Sequence, residues 1–172
     1  MKPKNNPLHI AQLVGTLNAA VWLGGAVFFT FFAGPVFFDP ALEAVLPKPE
    51  DGVAARFLIN RFTAFQLSCA CIALITMCIG WRLEGGKFPR APGLLLGGIL
   101  VLIMFGMTVL APKLNALHEL KYAYYFGVKA TKAQSEAFGS LHGLSQVCNL
   151  LVLLGLVAQF ILIWKAATQR KG

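Results

Sequence analysis

Charge is what this sequence has least of. Only 13% of its residues are Asp, Glu, Lys or Arg, against 57% apolar residues and a mean hydropathy of +0.68. A soluble domain of 172 residues has too little interior to bury that much apolar surface. The charges that exist sit in short clusters. Between them run uncharged stretches of the length, roughly 20 helical residues, that crosses about 30 Å of hydrocarbon. Cysteine is scarce as well: Cys69, Cys71, Cys78 and Cys148 all fall inside apolar runs, where a thiol behaves as a small apolar group, and no disulfide framework is implied. Neither a phosphate-binding glycine loop of the G-x-x-x-x-G-K type nor an H-E-x-x-H, G-x-S-x-G or G-x-G-x-x-G pattern is present, so nucleotide and hydrolase chemistry of the soluble kind is not expected. There is no internal repeat. The N-terminal apolar run is too long for the core of a signal peptide and reads as a membrane helix.

What remains is an all-α integral membrane protein: a four-transmembrane-helix bundle in a single membrane domain, residues 1–172, with a short interfacial helix between spans three and four. The first span covers about 8–33, where Gly34-Pro35 ends or kinks it. Three prolines and several acids make residues 40–56 a loop, and span two follows at about 62–81. Span three covers about 92–111, with Pro92 in its first turn and Pro112 at its end. Leu114, Leu117, Tyr124 and Tyr125 recur at helical spacing in the segment after it, which is expected to lie along the interface. Thr131 with Gln134 three residues on forms a capping-box signature, so a helix starts there and leads into span four, about 141–164.

The net charge of +8 does not point to nucleic acid, because the basic residues flank the apolar runs singly or in pairs and form no continuous face. They read as topology signals. Four spans place both termini on one side, with Lys2, Lys4, Arg82, Lys87, Arg90, Lys165, Arg170 and Lys171, while much of the opposite basic charge lies within longer loops that weigh less. The expectation is a bacterial-type inner (plasma) membrane protein with cytoplasmic N- and C-termini. Trp81 and Trp164 then end spans two and four at the same interface.

No span carries an Asp, Glu, Lys or Arg at its centre, which weighs against a carboxylate-based proton relay or a charged pore ring. The most organised polar set is on span four. His142, Ser145 and Asn149 stand at i, i+3 and i+7, on one helical face, with Gln146 at its border. One reading is a cofactor-binding site, with His142 as a haem or metal ligand. Interhelical hydrogen bonding explains the same residues and is the favoured reading. On span one, Gly15 with Ala19 and Ala20 with Gly24 form small-residue pairs one turn apart, accompanied by Asn18, Trp22 and Gly25. These are expected to pack helices, with Asn18 within reach of Asn149. His9 and His142 enter the bundle from opposite ends and cannot share a metal ion. His118 reads as a solvated loop residue. Cys69 and Cys71, about 200° apart on a helix, do not form a chelating pair. No metal site is expected.

The elements Trp22-Leu23-Gly24-Gly25, Phe28-Phe29 and Pro35-Val36-Phe37-Phe38, followed late in the chain by Leu141-His142-Gly143-Leu144-Ser145 and Asn149, resemble the DUF4149 family and are similar to the eukaryotic transmembrane protein 205. The resemblance covers nearly the whole length. It implies a four-span protein of largely unassigned biochemistry, whose eukaryotic relatives are linked broadly to drug resistance and secretion. It supplies no catalytic residue; only the polar face of span four and the Trp22-x-Gly24-Gly25 element carry over. A weaker similarity, through His9 and the same W-x-G-G element, points to copper-resistance D-like and haem-associated four-span oxidases, but the matching basic-aromatic motif is missing. The expected function is that of a non-enzymatic small membrane protein, an accessory or assembly subunit packing against other membrane helices or itself, with the lipid bilayer as its constant partner. The alternative is a ligand-binding or transport protein with a polar site for haem, a metal or a small lipophilic substrate on span four.

Overall fold

The computed structural model describes residues 7–46, 50–85, 88–122 and 131–169, and among these every regular element is helical. Helix α1 (Pro7–Phe28) continues through a π-turn (Phe29–Ala33) into a short 3₁₀ turn (Pro35–Phe38). A six-residue α2 (Pro40–Val45) leads to the long α3 (Glu50–Glu84). Helix α4 (Arg90–Phe105) passes through a second π-turn (Gly106–Leu110) into α5 (Ala111–Tyr122), and α6 (Lys132–Gln169) closes the chain. Four of these runs, Pro7–Phe38, Glu50–Glu84, Arg90–Leu120 and Lys132–Ala166, are long and apolar enough to cross a membrane. The protein is an integral membrane protein with an all-α bundle.

Two boundaries differ from the sequence reading, both at prolines and acids. Residues 40–45 and 50–56 are helical, not loop. Asp39 caps α2 by accepting the Ala41 N–H on its Oδ1 at 2.8 Å, with Pro40 at the first helical position, and α3 is already helical at Glu50. Pro47 and Pro49, which suggested the loop, lie outside the described residues. Pro112 likewise does not end span three. A proline in mid-helix removes one N–H and drives its ring against the carbonyl four residues back. Here the preceding turn is widened by one residue: the Ala111 N–H reaches the Gly106 carbonyl, five positions back. Pro35 is handled the same way, with Gly34 donating to the Phe29 carbonyl at 2.8 Å. In both spans the proline is the second residue after a five-residue π-turn, and the rod continues past it. Residues 111–122, expected as a separate helix lying along the interface, are helical as α5 but continue the rod of span three through the π-turn. Tyr124 and Tyr125 lie outside the described residues.

The start of α6 follows the sequence closely. Thr131 N–H donates to Gln134 Oε1 at 2.8 Å and Gln134 N–H donates to Thr131 Oγ1 at 3.3 Å, the reciprocal capping box. At 38 residues α6 is about 57 Å long, and the 35 residues of α3 make about 52 Å, well beyond the hydrocarbon thickness. The surplus forms a helical cap at the end of the bundle away from the termini. There Arg56 pairs with Glu119 at 3.2 Å and Lys132 with Glu136 at 3.8 Å, exposed contacts that orient more than they stabilise.

Within the bundle, span one packs on spans two and four, and span four packs on spans one and three, while spans two and three touch less. The core that joins them holds Trp22, Ala26, Cys69, Ala70, Leu96, Ile99, Ile103, Val152, Leu153 and Leu156. On span four the buried residues fall at helical spacing, and the outward Leu151, Leu154 and Val157 are equally apolar because their surroundings are lipid. Two glycines set helix distances. A Cβ at Gly25 would stand 2.7 Å from the Phe65 ring, and one at Gly155 would stand 2.9 Å from Ile99 Cγ1. Gly155→Leu is therefore expected to lower stability in detergent by about 1–3 kcal/mol through overpacking. Gly98→Leu, where a Cβ meets nothing within 4 Å, is expected to be close to neutral. Thermal unfolding of the two variants side by side checks this.

Candidate functional site

The polar residues picked out on span four lie on one face, but the structure gives each a different neighbour. Asn149 reaches across to span one, where its Nδ2 donates to Thr30 Oγ1 at 2.9 Å inside the first π-turn. Ser145 Oγ turns back and donates to the His142 carbonyl at 2.7 Å, the usual local bond of a serine in a membrane helix. His142 Nε2 lies 3.2 Å from Gln146 Nε2, one turn on. The His142 ring stacks on Phe138 of its own helix, with centroids 5.9 Å apart and planes 9° apart, and meets the edge of Phe38 at 6.0 Å. The face thus ties α6 to the end of span one, at the base of the cap. Among the described residues no group of three His, Cys, Asp or Glu side chains could hold a metal ion. His142 is half-buried between aromatic rings, and His9 is exposed near the start of α1, toward the other end of the bundle.

Span one carries its small residues on two faces. Gly15 and Ala19 turn inward, and a Cβ at Gly15 would stand 3.2 Å from Thr76 Oγ1 of span two. Gly25 turns inward against Phe65, while Ala20 and Gly24 stay on the outside. Asn18 and Trp22 both face the bundle and are buried. Asn18 does not meet Asn149, however. Its Nδ2 donates to the Cys69 carbonyl of span two at 2.9 Å. Their contact points on span one, Asn18 and Thr30, are twelve residues apart, about 18 Å along the axis and about a third of a turn around it, so one faces span two and the other span four.

Three placements were not read from the sequence. His118, read as a solvated loop residue, sits in α5 with its ring so close to Gly52 that a Cβ there would collide with Nε2, and the Phe138 ring is 6.3 Å away. Thr30 gave no signal, since a threonine in a phenylalanine-rich stretch looks like any membrane threonine until its partner is known. Gln159 is 6% exposed in the last third of span four. An amide so deep in an apolar run was a signal available in the sequence, and it stands two turns from Val152 on the inward face. Cys69 is buried and Cys71 exposed, as expected of residues on opposite faces, and all four cysteines are free.

Replacing Asn18 or Asn149 by Leu is expected to cost about 0.6–1.7 kcal/mol each, the range for interhelical hydrogen bonds in membranes. The two effects should add in the double variant, because the bonds share no partner. A Thr30→Val and Asn149→Leu cycle should instead show coupling. Reversible unfolding of the purified protein measures both.

Comparison with curated proteins and with solved structures returns no match. The family model for the domain of unknown function DUF4149 matches residues 17–123, from mid-span one through α5. That stretch includes Asn18, Trp22, both π-turns and the Cys69 carbonyl that Asn18 holds, and it makes up well over half of the chain. The chain belongs to the DUF4149 family.

Proposed function

We propose that this chain is a non-enzymatic membrane subunit that packs against further membrane helices, another protein's or those of a second copy, in a bacterial-type plasma membrane with its termini in the cytoplasm. The observation that carries this reading is the division of labour among the small residues of span one. Gly15, Ala19 and Gly25 are spent inside the bundle, where their missing side chains admit Thr76 and Phe65. Ala20 and Gly24, one turn apart, are not. Both are exposed, and a Cβ at Gly24 would meet nothing within 4 Å. Leu17, Val21 and Phe28 flank this strip and are exposed on the same span. Two small residues at i and i+4 let the backbone of another helix come close enough for dispersion contacts along its length, which is how helices associate in lipid, where no hydrophobic force separates them from the chains around them.

The chemistry of the span-four face supports the same reading. Asn149 and Ser145 are engaged in holding helices and backbone, and His142 is stacked and paired within its own helix, so the polar groups of that face work in assembly. The orientation rests on the basic residues that flank the spans at the terminal end.

Purified in mild detergent at native expression, the protein is expected in a defined complex of fixed stoichiometry, visible by mass measurement and by mass spectrometry of co-purifying chains. Gly24→Leu should dissolve that complex while leaving the fold intact, whereas Gly98→Leu, on span three, should not. Unchanged assembly in Gly24→Leu would overturn the proposal.

A further inference from the structure

The half of the bundle nearer the termini is not solid. Between the spans lies a cavity of about 240 Å³, walled by the first half of span one, the last half of span two, the start of span three and the last half of span four. It runs from Ala11 to Trp22 along span one, about 16 Å at helical rise, roughly half the thickness of the hydrocarbon layer. Its mouth is framed by Trp81, Glu84, Pro89 and Pro92, and its body is apolar, with Ala73, Met77, Leu156 and Ile163. For scale, an apolar cavity of roughly 150 Å³ takes up benzene.

Most of the polar groups in its walls are already engaged. The Asn18 amide donates to the Cys69 carbonyl, the Thr16 hydroxyl to the Gln12 carbonyl, and the Thr76 hydroxyl to the Ile72 and Ala73 carbonyls. Two fully buried atoms are not engaged. Trp22 Nε1 and Gln159 Oε1 are fully buried atoms with no hydrogen-bond partner, in residues only 1% and 6% exposed, and both residues line the cavity. One is a donor and the other an acceptor. A buried polar atom without a partner is costly, and a pair of opposite kind on the walls of one cavity is the arrangement a bound molecule would complete.

We infer that this cavity is a binding site for a small uncharged molecule whose apolar body, one or two rings in size, carries a hydroxyl or carboxamide group. Such a group accepts from the Trp22 N–H through its oxygen and donates its own proton to Gln159 Oε1. Among the described residues no Lys, Arg or His lines the cavity, so an anion meets no counter-charge there and would face the Gln159 oxygen. A protonated amine satisfies Gln159 and leaves the indole N–H unanswered. A plain hydrocarbon fills the space and leaves both atoms as they are. The site is at the far end of the bundle from His142 and is independent of the Ala20 and Gly24 strip, so it stands whether or not the chain assembles with others.

The test uses the full-length protein in lipid nanodiscs and three probes of equal ring size: naphthol, naphthalene and naphthoate, with empty nanodiscs subtracted. Naphthol is expected to bind saturably and about tenfold more tightly than naphthalene, the worth of a net hydrogen bond or so, with naphthoate weakest. Trp22→Phe and Gln159→Leu should each remove most of that advantage and leave naphthalene binding unchanged. Gly80→Phe should abolish binding of all three: Gly80 lines the cavity and a Cβ there meets nothing within 4 Å, so the substitution is expected to fill space at the cavity wall without breaking the fold. Gly98→Phe serves as the control and should bind like the wild type. Absence of saturable binding, binding that survives Gly80→Phe, or equal affinity for naphthol and naphthalene would each overturn the assignment. So would a naphthol preference that persists in both Trp22→Phe and Gln159→Leu.

Discussion

Hydrocarbon offers no hydrogen-bond partner, so every amide and carbonyl that enters it must be answered inside the chain. That requirement produces the four long helices and explains how the two difficult places in them are treated. Pro35 and Pro112 each break the regular ladder in an apolar span. Each is preceded at the same distance by a π-turn, in which one extra residue widens the ring and moves the obstructing carbonyl out of the proline's way. The price is a local irregularity, and span one uses it: Thr30 sits within the widened turn and accepts the hydrogen bond from Asn149.

The same accounting governs the side chains. Buried polar groups in this bundle are mostly spent on holding it together. Asn18 fastens span one to the backbone of span two, and Asn149 fastens span four to span one. Apart from Thr30, the threonine and serine hydroxyls seen bonded within the spans return to carbonyls of their own helices. Against that background Trp22 and Gln159 stand apart, because the side chains that meet across the bundle elsewhere in pairs here face a space. The bundle is closed by core packing near Ala26, Leu96 and Val152 and by the Phe29, Phe62 and Phe65 rings, with Phe29 and Phe62 stacked at 3.9 Å. Toward the termini the walls are smaller residues, Ala11, Gly15, Ala19, Ala73 and Gly80, and the helices no longer fill the centre.

The outside of the molecule obeys a different rule. With lipid as solvent, an outward leucine costs nothing, and apolarity no longer distinguishes inside from outside. What does distinguish them is size and hydrogen bonding. Gly25 and Gly155 admit side chains of neighbouring spans, and Gly24, one residue away from Gly25 in sequence, is a quarter turn of lipid-facing backbone with open space beside it.

The sequence by itself determined the spans, the capping box that starts α6, the opposite faces of Cys69 and Cys71, and the inward orientation of Asn18 and Trp22. These follow from local rules: length against bilayer thickness, charge exclusion, and helical periodicity. It misplaced the ends of elements at Pro40, which opens α2, and at Pro112, since a mid-helix proline's effect depends on whether the turn before it can widen, a backbone response with no residue signature. Only the tertiary structure decided which helices are neighbours, that Asn149 meets Thr30 and Asn18 meets a carbonyl, and that Trp22 and Gln159 look into the same space. Residues 137 positions apart in an apolar chain carry no mark of their common cavity. Their meeting is fixed by the order in which four rods pack, and lipid, which makes every apolar face equivalent, leaves that order to the shapes of the side chains.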